Sequence, residues 1–166
     1  AYGNVGVVVE LNSETDFVAN SDIFKELVGK VAKVIADQNP ADVDALLACS
    51  ENGVTVADMI QEVFLAVREN IKVRRFERYE GVVSTYVHAG GKIGVMVKFD
   101  TTAADNDTFK EMAKDVAMQI AAVNPQYLSK ESVPADVVEH EKNILVAQMK
   151  EDPKMANKPD AVLGKI

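Results

Sequence analysis

Val5-Gly6-Val7-Val8-Val9 and Ile93-Gly94-Val95-Met96-Val97 are β-rich runs of one pattern, with glycine after the first aliphatic residue, set 88 residues apart. Each is followed by a helical stretch with matching landmarks. Phe24-Lys25-Glu26 returns as Phe109-Lys110-Glu111, while Val31-Ala32, Ile35-Ala36 and Asn39-Pro40 return as Val116-Ala117, Ile120-Ala121 and Asn124-Pro125, now 85 residues apart. Two strand-then-helix units read as an internal duplication; a solenoid needs about three copies or more. The fold class expected is α+β, an antiparallel sheet with packed helices in two similar subdomains.

The rest of the chain fills in around these units. Val5 to Leu11 is a buried strand bounded by asparagines. Ser21 or Asp22 caps a helix whose stripe runs through Phe24, Leu27, Val28, Val31, Val34 and Ile35, and Asn39-Pro40 ends it. A short helix is expected over Asp42 to Cys49, a turn at Asn52-Gly53, and a Thr55-capped helix through Met59, Ile60, Val63, Phe64 and Val67. Two strands fall between Ile71 and His88, broken near Glu80-Gly81. Ala89-Gly90-Gly91 reverses the chain into the strand Ile93 to Phe99. Asp105 or Asp107 opens a helix that stops at Asn124-Pro125. Pro134 sits at the first turn of a helix reaching Met149, Glu151-Asp152-Pro153 breaks it, and Pro159 starts a last helical segment.

The repeat is unequal in one place. Between strand and helix the first copy reads Asn12-Ser13-Glu14-Thr15-Asp16-Phe17-Val18-Ala19-Asn20, whereas the second reads Asp100-Thr101-Thr102-Ala103-Ala104-Asp105-Asn106, three residues shorter between the landmarks and without an aromatic. A loop lengthened in one copy only is not required by the shared packing, and loops held by rigid elements are where function concentrates. Phe17 therefore either folds back as a staple on its own helix or stands out as an anchor for a partner.

Composition narrows the function classes. Among 166 residues, 26 are acidic and 18 basic, a net charge of −8. That balance argues against capture of nucleic acid or an anionic membrane as the main task. Lys72, Arg74, Arg75 and Arg78, interleaved with Phe76 and Tyr79, could form a nucleic-acid platform, but Glu77 and Glu80 interrupt them and a solvated sheet face is the reading preferred. The single cysteine, Cys49, excludes an internal disulfide framework and reads as a small apolar residue beside Leu46 and Leu47. Apolar runs such as Val7-Val8-Val9 fall far short of the ~20 residues of a membrane span. His88 and His140 lack ligand spacing, Gly90-Gly91-Lys92 lacks the longer phosphate-loop pattern, and the paired carboxylates sit at helix starts; no acid/base pair or metal set emerges. Ala1-Tyr2-Gly3-Asn4 has neither an initiator Met nor a signal-peptide pattern, and Leu163 to Ile166 ends within a helical run, so the chain is expected to be a piece of a longer one.

Four stretches in order carry a family resemblance. Leu11-Asn12-Ser13-Glu14-Thr15-Asp16-Phe17-Val18-Ala19 resembles the signature of the elongation factor Ts family, the guanine nucleotide exchange factors of bacterial elongation factor Tu: an Asn, a variable pair, then Thr-Asp-Phe-Val-Ala after an apolar strand. Arg68 to Arg75, Gly91 to Val97, and Ala117 to Ala122 followed by Asn124-Pro125 are similar too. The resemblance implies a core of two similar subdomains, here 1–80 and 81–130, the second incomplete. Residues 131–166 are then the first part of a protruding helical hairpin.

It further implies that Asp16 and Phe17 insert beside the nucleotide of elongation factor Tu, disturb its Mg²⁺ site and loosen GDP, with Thr15 and Val18 in the same contact. Gln119 stands where the family pattern often has His, and is carried as a further partner-binding residue. No catalytic residue and no cofactor is implied for this chain, since GDP and Mg²⁺ belong to the partner. The location implied is cytoplasmic, and a homodimer is among the partners, because some members of the family dimerise. The rival readings are an exchange-inactive binding fragment of the same factor and a small-molecule enzyme, which requires a polar cleft.

Overall fold

The computed structural model describes residues 1–151; of the expected break at Glu151-Asp152-Pro153, Glu151 is still helical, while Asp152, Pro153 and the segment from Pro159 lie outside the described residues. A first compact unit, Ala1–Asn124, is followed by a second that begins at Pro125. The first holds β1 (Val5–Asn12), α1 (Asp16–Ala19), α2 (Asp22–Gln38), α3 (Val43–Ala48), the two-residue strands β2 (Ser50–Glu51) and β3 (Val54–Thr55), α4 (Val56–Val67), β4 (Lys72–Glu80), β5 (Val82–His88), β6 (Ile93–Phe99) and α5 (Asp107–Val123). The second contains α6 (Ala135–Glu151).

Most helix ends follow the expected chemistry. Ser21, Asp42 and Thr55 each accept a bond from a backbone N–H in the first turn of α2, α3 and α4, and Thr55 forms a reciprocal capping box with Asp58. α5 begins at Asp107, but its cap is Asn106 and neither flanking aspartate: the Asn106 amide oxygen accepts from Phe109 N at 3.1 Å. Asn39 and Asn124 close α2 and α5 in the left-handed conformation, with φ of 47° and 46°, a backbone state that asparagine tolerates better than most residues.

The expected antiparallel sheet is split into two ribbons. β1 pairs with β4, Val5 opposite Glu80 and Asn12 opposite Lys72; β5 pairs with β6, Val82 opposite Phe99. Gly81, at φ +117°, redirects the chain between β4 and β5, and this angle is costly for any residue with a Cβ. The small β2–β3 hairpin turns through Asn52 and Gly53, both at positive φ, the signature of a type I′ reversal.

Strand alternation assigns the faces. Val7, Val9 and Leu11 of β1 look toward a core of Leu27, Val31, Val34, Ile35, Leu46, Val56, Met59, Val63 and Val73, shared by α2, α3, α4 and β4. Gly6 and Val8 look the other way, onto the second ribbon. A Cβ on Gly6 would meet the Val83 side chain and lie 2.7 Å from Met96 Sδ, and one on Gly94 would lie 3.3 Å from Val8 Cγ1. The repeated glycine of the two strand motifs thus marks where the ribbons cross closely. On the outer face of the second ribbon Phe99 meets Phe109 of α5 edge-on, ring centres 5.3 Å apart.

The basic stretch is only partly a solvated face. Arg74 and Arg75 are exposed and both bond Glu10, at 2.9 and 2.7 Å. Arg78 is 12% exposed and turns inward. Its guanidinium donates twice to the carbonyl of Ala36, at 3.1 and 3.0 Å, a cation at the negative end of α2. In the second unit, α6 buries none of its residues.

Candidate partner-binding site

The long loop between β1 and α2 is an ordered structure. Thr15, in extended conformation, caps the single-turn helix α1, its hydroxyl accepting from Val18 N at 3.4 Å. Asn20 closes that turn by donating through backbone and side chain to Asp16 O, at 3.0 and 2.8 Å. Ser21 Oγ donates to Val18 O at 2.6 Å and also caps α2. Two caps six residues apart therefore fix the chain on both sides of Phe17.

The turn sorts its two central apolar residues. Val18 is 9% exposed and belongs to the buried set, whereas Phe17 is 90% exposed. The staple reading of Phe17 fails, since a ring that free of its own lobe packs on nothing within it. One helical step is 100° around the axis, so anchoring Val18 inward turns Phe17 outward.

Long-range bonds hold the loop from below. Thr15 donates its N–H to Glu69 Oε2 at 2.9 Å and its O–H to Glu69 Oε1 at 2.6 Å. Glu14 accepts from the Asn70 backbone N–H at 3.2 Å and from the Asn70 side-chain amide. Those two bonds, the side-chain one first, hold the Glu14 carboxyl below the ordinary carboxylate value. From the β5–β6 turn, Lys92 Nζ reaches Asp16 Oδ2 at 3.2 Å, an exposed pair of small energetic weight. Gly90 of the same turn lies beside Asn20.

Thr15, Asp16, Phe17 and Val18 thus stand together. Gln119 is exposed on α5, and among the described residues no hydrogen bond or ion pair joins it to the loop. Glu14, Glu69, Asn70 and Lys92 are the residues that sequence reasoning missed. Glu69-Asn70 and Lys92 lay inside two of the similar stretches, but a contact across 54 residues leaves no trace in local spacing.

Elsewhere in the first unit, a shallow open groove of about 390 Å³ runs between Asn39–Val43 and Arg74–Arg78. Among the described residues no three His, Cys, Asp or Glu side chains gather as a metal set, and no helix is long and apolar enough to cross a membrane.

The profile of the family described as Elongation factor TS matches residues 14–166, which takes in the Thr15–Val18 turn. The chain belongs to the elongation factor Ts family. Curated relatives named Elongation factor Ts include one from Trichlorobacter lovleyi, 42% identical over all of this chain and 55% of its own length. One from Azoarcus sp. is 45% identical over all of this chain and 53% of its own length. One from Halothermothrix orenii is 42% identical over 97% of this chain and 54% of its own. The chain spans about half the length of the curated relatives it matches.

Proposed function

We propose that this chain binds elongation factor Tu and promotes GDP release during translation elongation, in the cytoplasm, with Phe17 as the inserting group and Asp16 beside it. The observation that carries the reading is a phenyl ring 90% exposed on a turn whose neighbouring Val18 is buried. Burying such a ring in a partner yields roughly 1.5–3 kcal/mol from one rigid side chain. That energy accelerates release only if it is realised in the nucleotide-free shape of the partner and not in the GDP-bound one. Coupling is reciprocal, so GDP must weaken this chain's binding by the same ratio as this chain weakens GDP binding; roughly 1–3 kcal/mol gives 5- to 150-fold. No acid, base or nucleophile is needed, and the chain acts without enzyme chemistry of its own. We further infer that the two strand–helix units descend from one duplicated unit, a reading supported by their matched asparagine caps and crossing glycines.

Release of a fluorescent GDP from elongation factor Tu tests the proposal. The intact chain accelerates release; Phe17→Ala lowers the acceleration at least tenfold and moves the melting temperature by less than about 2 °C, because an exposed side chain contributes little to stability. A large drop in melting temperature with Phe17→Ala would sink the wedge. The chain's extent, half that of its relatives, favours one second reading, a fragment that binds without exchanging. Binding with unaltered GDP release at saturation selects that reading.

A further inference from the structure

The bonds beneath the Thr15–Val18 turn continue the β1–β4 ladder. In that ladder Leu11 faces Val73 and Asn12 faces Lys72. The same register, carried on, sets Glu14 opposite Asn70 and Thr15 opposite Glu69, the two pairs that are hydrogen-bonded. Backbone pairing has ended there, because Thr15 is already the cap of α1. Side chains take over, and they do so reciprocally: a carboxylate from each segment accepts two donors from the other.

The Glu69 end of this clasp governs the cap. Both Thr15 donors, N–H and O–H, point at the Glu69 carboxylate, at 2.9 and 2.6 Å. A hydroxyl that donates there has its hydrogen fixed and its lone pair turned to the Val18 N–H, at 3.4 Å. Val18 is the anchor that sets the direction of Phe17. Glu69 is half-buried and remote from Phe17 in sequence, yet it bonds the residue that caps the turn on which the ring is carried.

We propose that Glu69 is a positioning residue for Phe17: it locks the Thr15 cap so that the ring is presented in one fixed direction before any partner is met. The inference rests on the exchange reading above. Fixing a contact group in its bound geometry lowers the ordering cost of association and of any step that depends on it. Glu69→Gln is the discriminating variant, because an amide of the same shape offers one acceptor and sets an N–H₂ against the second Thr15 donor.

The experiment is a double-mutant cycle on the intact chain, read by fluorescent-GDP release from elongation factor Tu at saturating concentrations, with amide hydrogen exchange of the free variants alongside. Glu69→Gln lowers the maximal release rate about tenfold, the size of one lost hydrogen bond to a charged group. In the Phe17→Ala background the same substitution changes the rate by less than twofold. In the free chain it speeds exchange at the Thr15 and Val18 amides about tenfold and leaves the β5–β6 amides as they were. Rates that multiply across the cycle, or unaltered protection of Thr15 and Val18, overturn the positioning role. Loss of release with Phe17→Ala but not with Glu69→Gln overturns it while leaving the wedge standing; Phe17→Ala without effect overturns the wedge and the role with it.

Discussion

α2 and α5 are each 17 residues long, start on a side-chain cap and end on a left-handed asparagine, yet α2 buries six residues and α5 two. The difference lies in what covers them. α2 is held between β1 and the α3–α4 pair, so Leu27, Val31, Val34 and Ile35 are enclosed. α5 rests chiefly on the β5–β6 ribbon, with Ala113 and Ala117 beneath it. At the spacing of 85, buried Val34 corresponds to exposed Gln119. The same local code therefore builds the same helix twice, and only the surroundings decide which face becomes core.

The largest expected effect tests that contrast directly. Ile35 is fully buried and Ile120, its counterpart, is half-buried. Ile35→Ala should cost about 2–5 kcal/mol in chemical denaturation, and Ile120→Ala about half of that or less. Equal costs would mean that α5 is enclosed as fully as α2.

The crossing glycines give the next effect. Gly6→Ala places a methyl against Val83 and 2.7 Å from Met96 Sδ, whereas Gly94→Ala approaches Val8 at 3.3 Å. The first should lose about 1–3 kcal/mol by overpacking and the second less than about 1, read as shifts in denaturation midpoint. Reversal of that order would refute the close approach at Gly6.

Acid provides the smallest effect and compares the two loops. Glu14 has a folded pKa below its ordinary 4.5 because Asn70 donates to it. A depressed carboxyl stabilises above its ordinary value, and that stabilisation is lost as pH falls below 4.5 through the folded value. Protection of the Asn70 amide should therefore drop on acidification, in nuclear magnetic resonance at a series of pH values. The Ala103 amide of the shorter loop bonds the Thr101 hydroxyl at 3.0 Å, which does not titrate, and its protection should hold over the same range.

Legibility in the sequence followed the range of the interaction. The Thr55 cap, the start of α2 at Ser21 or Asp22, the reversal at Ala89–Gly91 and the stripe of α2 obey rules that act over four residues or fewer, and they were readable. The outward Phe17 was legible only as one of two alternatives, because direction depends on Val18 finding the core. Arg78 looked like a solvated charge since its acceptor, the Ala36 carbonyl, lies 42 positions away. The break near Gly81 was legible, whereas the pairing of β4 with β1 apart from the β5–β6 ribbon, and the Glu69 clasp, arise from contacts between distant segments, which composition and spacing do not encode.

Thr15 and Glu69 are also separated in time. A chain made from its N-terminus exposes Phe17 long before residue 69 has been added, so the ring spends that interval on an unlatched segment. The clasp can close only once Glu69, just past the end of α4, has emerged from the ribosome and β4 has come to lie against β1. On the positioning role proposed above, fixing the ring is consequently a late event in the maturation of this unit, and a nascent chain halted before Glu69 would carry the phenyl group without its bearing.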